Sequence, residues 1–421
     1  MDTLLVRGGQ RLEGKIPIHG AKNSALPLLA ATLLVTGVSE IHNCPNLSDV
    51  AASLRILRHL GCGVTREGDV VTVDATGPTG CAIPDTLMRE MRSSIVFLGA
   101  MVARCGQARM TYPGGCELGP RPIDLHLSAL RRLGVAVTES HGTICCAAPH
   151  GLRGAEISLG FPSVGATENV LLAACTATGT TVLHNGAREP EIGDLCRFLN
   201  TCGARITGYD TGTITVEGVP RLRGGTHRVM PDRIEVATYL AAGAVTGGDL
   251  LLTGCEPLAA SPVFSAFEQA GCRLTTARDA VRIQAPPRLD RMGLIRTLPY
   301  PGFPTDGAAP LLAAACTGRG TSVFVETIFE NRYRYVDELA RMGAHIRVDG
   351  RVAVVEGVPS LQGADVACTD LRGGAALVVA ALSAAGESRI AELSHLDRGY
   401  QDLAPCLSAV GARICRETIP S

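Results

Sequence analysis

The 421-residue sequence contains no tryptophan, and only 4% of its residues are aromatic. Any core must therefore be built from Ala, Val, Leu and Ile. There is no excess of either charge: 39 Lys and Arg face 40 Asp and Glu. A general nucleic-acid binder usually carries a basic excess, so that class is not expected. No apolar run reaches the ~18 residues of a membrane span. The longest candidate, Ala25 to Val38, is shorter and contains Pro27. The first ten residues, MDTLLVRGGQ, lack the apolar stretch of a signal peptide, so a soluble cytoplasmic protein is expected. Sixteen cysteines occur without one Cys-x-x-Cys. A disulfide framework or a zinc site is therefore not expected, and most of these cysteines read as small buried hydrophobes.

What is present is repetition. A segment of the form apolar–Gly–small–x–apolar recurs at Gly61, Gly134, Gly203, Gly271, Gly343 and Gly411, at intervals of 68 to 73 residues. Another glycine precedes each by 23 to 28 residues: Gly37, Gly106, Gly179, Gly247, Gly320 and Gly386. Each unit starts with a small-residue apolar helix, such as ENVLLAACTAT. Its glycine is expected to act as the helix stop. A strand, a loop and an amphipathic helix such as VDELARMGA follow. A strand pair closes the unit, signalled in the fifth by Asp349-Gly350. The reading is α/β: six α-β-α-β-β repeats of about 70 residues, three per domain, with a boundary near residue 230 beside Gly224-Gly225. Helices apolar on all sides are expected inside the sheets.

Polar residues recur at two equivalent points. The starts of the first helices hold Lys22-Asn23, Arg92, Ser163-Val164-Gly165, Asp232-Arg233, Asp306, and Asp370 with Arg372. The loops after the following strands hold Cys116, Arg188, Arg332 and Arg398. Helix N-termini converging with Lys and Arg would bind a multiply charged anion. Plainer readings compete. Asp232, Asp306 and Asp370 can be N-caps, and Asp232 with Glu235 has the capping-box spacing. Arg188 and Arg332 can be surface or inter-strand pairs. His126 and His395 can be structural, and Phe161 and Pro162 can serve packing and helix entrance. Cys116 sits in TYPGGCELGPRPIDLH, a glycine- and proline-rich loop with Arg121 five residues on. A thiol beside a guanidinium in an exposed loop tends to a lowered pKa, so Cys116 reads as a reactive cysteine.

At these residues the chain resembles the UDP-N-acetylglucosamine 1-carboxyvinyltransferase family of enolpyruvyl transferases. The motifs are GAKNSALP (19–26), PGGCELGPRPIDLH (113–126), SVGATEN (163–169), AREPEI (187–192), PDRIE (231–235), FPTD (303–306), ETIFENR (326–332), TDLR (369–372) and HLDRGY (395–400). The resemblance implies a two-domain inside-out α/β barrel, with residues 22–230 forming one domain and 1–21 plus 231–421 the other. It places the active site in the cleft between them, with the Cys116 loop as a lid. It implies transfer of the enolpyruvyl group of phosphoenolpyruvate to the 3-hydroxyl of UDP-N-acetylglucosamine, with release of phosphate, as the first committed step of peptidoglycan synthesis.

It also implies roles. Cys116 is the proton donor, able to form a pyruvate adduct and to be alkylated by fosfomycin. Asp306 accepts the sugar hydroxyl proton and Asp370 assists. Lys22, Arg121 and Arg398 hold phosphate and carboxylate, with Asn23 near the reacting carbon and hydroxyl. Arg92, Arg121, Pro122, Ile123, Asp124, Leu125, Ser163, Val164, Gly165 and Ile328 line the nucleotide-sugar site, and His126 is a weaker member. No cofactor and no metal are implied, and a monomer suffices for the site. Two positions depart from the family: Phe161 stands where some members carry Lys, and Gly307-Ala308-Ala309 follows Asp306 without a common Gln. The alternatives are a transferase acting on shikimate 3-phosphate, a six-repeat scaffold such as a sliding clamp, and a paralogue that binds UDP-N-acetylglucosamine without turnover.

Overall fold

The computed structural model describes residues 2–77, 79–113 and 123–418. They form two compact units. One is made of the residues up to His19 and those from Pro231 onward, the other runs from Gly20 to Met230. The second unit starts at Gly20 rather than Lys22 because the Ala21 N–H donates to the Met230 carbonyl at 2.8 Å, which ties the first segment to the last.

The repeat is visible in the element order. In the third, helix Val164–Ala174 leads to strand Thr180–His184, helix Pro190–Thr201 and strands Arg205–Thr207 and Thr213–Glu217. The fifth follows suit with Thr305–Ala315, Thr321–Val325, Val336–Arg341, His345–Asp349 and Val352–Glu356. The small-residue helices lie inside. Helices Arg233–Val245, Thr305–Ala315 and Leu371–Ser383 pack against one another, and Leu311, Leu312, Leu377 and Ala376 are fully buried. In the other unit, helix Phe97–Cys105 packs against both Lys22–Thr32 and Val164–Ala174. A helix hydrophobic all round is stable only when covered on all sides.

The sheets form the covering. In the fifth repeat Leu294–Arg296 runs parallel to Thr321–Val325, which pairs antiparallel with Val352–Glu356, itself paired with His345–Asp349. Ala353 and Val355 face inward and are fully buried, while their neighbours Val352 and Val354 are half-buried. That is the period-2 pattern of a sheet with one wet face. Among the described residues the sheets stay separate and open, and no closed sheet forms.

The first residues of the chain complete the unit of its last ones. Strand Asp2–Arg7 lies between Glu387–Ala391 and Arg413–Thr418, antiparallel to both, with Leu4 opposite Ile390 and Val6 opposite Ile414. It fills the place that the closing hairpin strand has in the other repeats. Strand Glu13–Pro17 runs parallel to Asp249–Thr253 and supplies the fourth strand of that sheet.

All twelve repeat glycines have positive φ. The second of each pair lies one residue beyond the C-cap of its helix, with φ between 88° and 103°. At each, the glycine N–H and the next N–H turn back onto the last helical turn. Gly203 donates to Asn200 and Ala204 to Leu199; Gly343 donates to Ala340 and Ala344 to Leu339. This is the Schellman arrangement, and the residue after each glycine is apolar because it tucks under the helix end. The first glycines meet the helix-stop expectation only in part. Gly106 caps Phe97–Cys105 directly. Gly37, Gly179 and Gly320 stand five residues past helix ends at Thr32, Ala174 and Ala315, and they turn the chain into the strand. The intervening residues make tight turns, such as Ala177 N–H to Ala174 and Gly318 N–H to Ala315, that satisfy the last helical carbonyls first.

Fifteen cysteines are described, all free thiols, and ten are buried. Burial pushes the Cys44 thiol up to about 11 and the Cys175 and Cys316 thiols up to about 12. Such thiols are inert packing groups at neutral pH. No helix among the described residues is long and apolar enough to cross a membrane.

Candidate active site

In the unit running from Gly20 to Met230, three helix starts carry the implicated residues. Lys22 opens Lys22–Thr32, Arg92 opens the 3-10 turn Arg92–Val96 that leads into Phe97–Cys105, and Ser163 caps Val164–Ala174 by accepting the Ala166 N–H at 3.3 Å. The Arg92–Val96 turn packs against both other helices.

The first start is held by two buried carboxylates. Lys22 Nζ is 3.1 Å from Asp49 Oδ2, with both side chains nearly covered. Ser24 Oγ donates to Asp194 Oδ2 at 2.5 Å. Asp194 also accepts the Met230 N–H and meets His227 Nε2 at 2.9 Å. Burial raises the Asp194 carboxyl, but the hydrogen bonds from His227 and Ser24 outweigh it and hold the group below the usual carboxylate range. Asn23, half-buried, lies between these two anchored neighbours.

The nucleotide-sugar candidates collect around helix Asp124–Arg132. Ile123 is buried, Leu125 half-buried and Asp124 exposed. His126 is buried and its Nδ1 lies 2.9 Å from Asn169 Nδ2. Burial pushes its imidazole down to about 4, so it is neutral at pH 7. A Cβ on Gly165 would stand 2.9 Å from His126 Cε1, so the Ser163-Val164-Gly165 turn sits directly on that ring. Arg188 and Phe161 are exposed. Cys116, Arg121 and Pro122 lie outside the described residues.

In the other unit the centre is Asp306. The sequence allows it as an N-cap, but Pro304 occupies that place in helix Thr305–Ala315 and Asp306 is the second helical residue. Its carboxylate instead accepts Arg332 Nη2 on Oδ1 and Arg372 Nη2 on Oδ2, each at 2.9 Å. Both arginines are 2% exposed, so Arg332 is no surface pair, and Asp306 is 27% exposed. The guanidinium of Arg372 lies 5.4 Å from the Tyr400 ring and that of Arg332 5.5 Å from the Phe329 ring. Two buried cations face one carboxylate that keeps a route to solvent, an arrangement that attracts an anion and leaves an acceptor exposed.

Asp370 is a cap: Oδ1 accepts the N–H groups of Arg372 and Gly373 at 2.9 and 3.0 Å. Asp232 caps Arg233–Val245 in the same manner, through Ile234 and Glu235. The capping-box expectation fails there. Glu235 turns away to accept the His19 N–H at 2.8 Å and to meet His19 Nδ1 at 2.9 Å, while the Asp232 N–H goes to the His19 carbonyl. His19 outcompetes the local partner because it approaches with two donors at once. Ile328 lies in a turn fixed by Glu326, whose Oε1 accepts the Ile328 and Phe329 N–H groups at 2.7 and 3.0 Å. Arg398 closes the 3-10 turn Leu396–Arg398 and is half-buried.

Two polar residues here escape the sequence reading, Asp49 and Asp194, and two more, Glu168 and Asn169, stand in the SVGATEN motif without a role assigned to them. Asp49 falls in a first helical turn, where an acid reads as a dipole partner. Glu168 is buried, and burial, with Glu191 and Glu189 beside it, pushes its carboxyl up to about 8.

The chain is similar to known proteins over nearly its whole length. The EPSP synthase (3-phosphoshikimate 1-carboxyvinyltransferase) family matches residues 6–407. UDP-N-acetylglucosamine 1-carboxyvinyltransferase 2 of Caldanaerobacter subterraneus is 49% identical over 99% of this chain and 100% of its own length. UDP-N-acetylglucosamine 1-carboxyvinyltransferase 1 of Symbiobacterium thermophilum is 49% identical over 99% of this chain and 95% of its own. The Zymomonas mobilis UDP-N-acetylglucosamine 1-carboxyvinyltransferase is 46% identical over 99% of both. Among solved structures, the enolpyruvyl transferase NikO of Streptomyces tendae superposes with a TM-score of 0.89 at 27% identity, over 100% of this chain and 99% of that one. EPSP synthase from Acinetobacter baumannii, at 19% identity and a TM-score of 0.75 over 99% of this chain and 100% of that one, shares the fold. The chain belongs to the enolpyruvyl transferases of the EPSP synthase family, and within it to the UDP-N-acetylglucosamine 1-carboxyvinyltransferases.

Proposed function

We propose that the protein transfers the enolpyruvyl group of phosphoenolpyruvate to the 3-hydroxyl of UDP-N-acetylglucosamine and releases phosphate, the first committed step of peptidoglycan synthesis, in the cytoplasm. The observation that carries this reading is identity of 46% or more along 99% of the chain to three proteins of that name.

In this reading the reaction is an addition followed by an elimination. The sugar 3-hydroxyl gives its proton to Asp306 while its oxygen bonds to C2 of phosphoenolpyruvate, and Cys116 gives a proton to C3. The adduct then loses a proton from C3 and phosphate from C2, which restores the vinyl group. An acid at one carbon and a base at the hydroxyl are what such an addition demands. Asp306 suits the base: its two oxygens accept N–H groups of Arg332 and Arg372, which hold the carboxylate in place, and the side chain is 27% exposed. Lys22, Arg121 and Arg398 hold phosphate and carboxylate, with Asn23 beside them, and fixed cations stabilise the charge that develops at C2. The Asp49 contact supports a fixed Lys22, because a buried partner limits the rotamers of a long side chain. Asp370 assists proton transfer from a backbone-capped position. Arg92, Arg121, Pro122, Ile123, Asp124, Leu125, His126, Ser163, Val164, Gly165 and Ile328 take the nucleotide sugar.

Product analysis by mass spectrometry tests the reading. Incubation with both substrates is expected to convert UDP-N-acetylglucosamine to its 3-O-enolpyruvyl ether. An unchanged nucleotide sugar, with shikimate 3-phosphate converted instead, contradicts it.

A further inference from the structure

The three segments that carry the nucleotide-sugar candidates of the Gly20–Met230 unit are joined through one side chain that no motif role explains. Asn169 is fully buried in helix Val164–Ala174. Its Oδ1 accepts the Gly99 N–H at 2.5 Å. Its Nδ2 has two hydrogens and two short partners, the Ile95 carbonyl at 3.1 Å and His126 Nδ1 at 2.9 Å, with the Gly165 carbonyl farther off at 3.4 Å. Ile95 follows Arg92 in its turn, Gly165 follows Ser163 in the cap, and His126 follows Asp124 and Leu125 in their helix. One amide therefore sets the spacing of all three.

The chemistry of these partners fixes the proton on the imidazole. A backbone N–H can only donate, so the Asn169 atom facing Gly99 is the oxygen. A backbone carbonyl can only accept, so the atom facing Ile95 is the nitrogen. That nitrogen also faces His126 Nδ1, which must accept, and the neutral ring carries its hydrogen on Nε2. Among the described residues Nε2 has no hydrogen-bond partner, and it lies against the turn at Gly165: a Cβ there would be 3.3 Å from it. Asp124 is the charged group that acts on the ring.

We infer that Asn169 is a positioning residue for the nucleotide sugar: it locks His126 in the Nε2–H tautomer, so that the imidazole offers one neutral donor to an acceptor atom of UDP-N-acetylglucosamine held at the Ser163–Gly165 turn. This rests on the function proposed above. A neutral donor suits a carbonyl or hydroxyl oxygen of the ligand, and it keeps its hydrogen throughout the neutral pH range.

The test uses the intact protein in two steps. Nitrogen-15 spectra of the wild type are expected to show His126 neutral, with Nε2 protonated, from pH 6 to 8. UDP-N-acetylglucosamine should shift that Nε2 signal. A protonated Nδ1, a charged ring, or no shift with saturating UDP-N-acetylglucosamine overturns the inference, and none of these readouts requires turnover. In the second step, His126→Gln keeps a donor near the Nε2 place and His126→Leu removes it. The Leu variant should raise KM for UDP-N-acetylglucosamine about tenfold, the worth of one hydrogen bond, with KM for phosphoenolpyruvate unchanged, and the Gln variant should recover part of the loss. Equal effects of Leu and Gln, or a rise in both KM values, would mean packing alone and overturn it. A wild type that shows the Nε2–H tautomer and binds UDP-N-acetylglucosamine but releases no phosphate would sink the transferase reading and leave this one standing.

Discussion

The carboxylate of Asp306 lies 2.9 Å from the guanidinium of Arg372, the second residue of the helix capped by Asp370. The two acids of the C-terminal repeats named for catalysis are therefore joined through one buried arginine: Asp370 holds its backbone and Asp306 meets its side chain.

Asp306→Asn keeps the shape and removes the base. Turnover is expected to fall by a factor on the order of 10²–10⁴ while UDP-N-acetylglucosamine still binds, measured by steady-state kinetics and calorimetry. Turnover close to wild type would reduce Asp306 to an ion-pair partner of Arg332 and Arg372.

Glu168→Gln separates burial from charge. Glu168 titrates at about 8 in the folded protein, raised first by burial and then by Glu191 and Glu189, against 4.5 as the reference value. Between those values the native state holds a proton that the unfolded chain has released. Its contribution to stability is therefore full below 4.5 and is lost as pH rises towards 8, at about 1.4 kcal/mol per pH unit for one proton. The Gln variant should lose less stability than wild type between pH 5 and 8 in denaturant titrations. Parallel curves would show that Glu168 is ionised in the fold.

Gly203→Ala probes the repeat glycines. Gly203 has φ of 101°, and a Cβ there would touch nothing within 4 Å. The cost is conformational alone, about 1–2 kcal/mol in a denaturant melt, with no change in kinetics. A neutral result would mean that the helix end relaxes to another cap.

The proposed role of Cys116 predicts alkylation by fosfomycin. Intact mass should show one adduct, peptide mapping should place it on Cys116, and Cys116→Ala should show none. An adduct on exposed Cys145 or Cys415 instead would contradict the assignment.

Much of this fold is legible in the sequence because its signals are local. A glycine one residue past the C-cap of the second helix of each repeat, with an apolar residue after it, is a short pattern with one structural meaning, and it recurs six times. The starts of the small-residue helices are equally local. Partners are not. Asp306 meets Arg372 across 66 residues, and Ser24 meets Asp194 across 170. Nothing near Asp306 distinguishes an N-cap from an ion-paired second helical residue. Glu235 has the capping-box spacing, yet His19, 216 residues away, offers it two donors. Asn169 stands inside a motif that marks it as important, but its role depends on three segments converging in space.

The most direct test of the account is phosphate release from phosphoenolpyruvate, followed with and without UDP-N-acetylglucosamine. Release that requires the nucleotide sugar and disappears in Asp306→Asn is the predicted result. Release with shikimate 3-phosphate but not with UDP-N-acetylglucosamine, or no release with either, would contradict it.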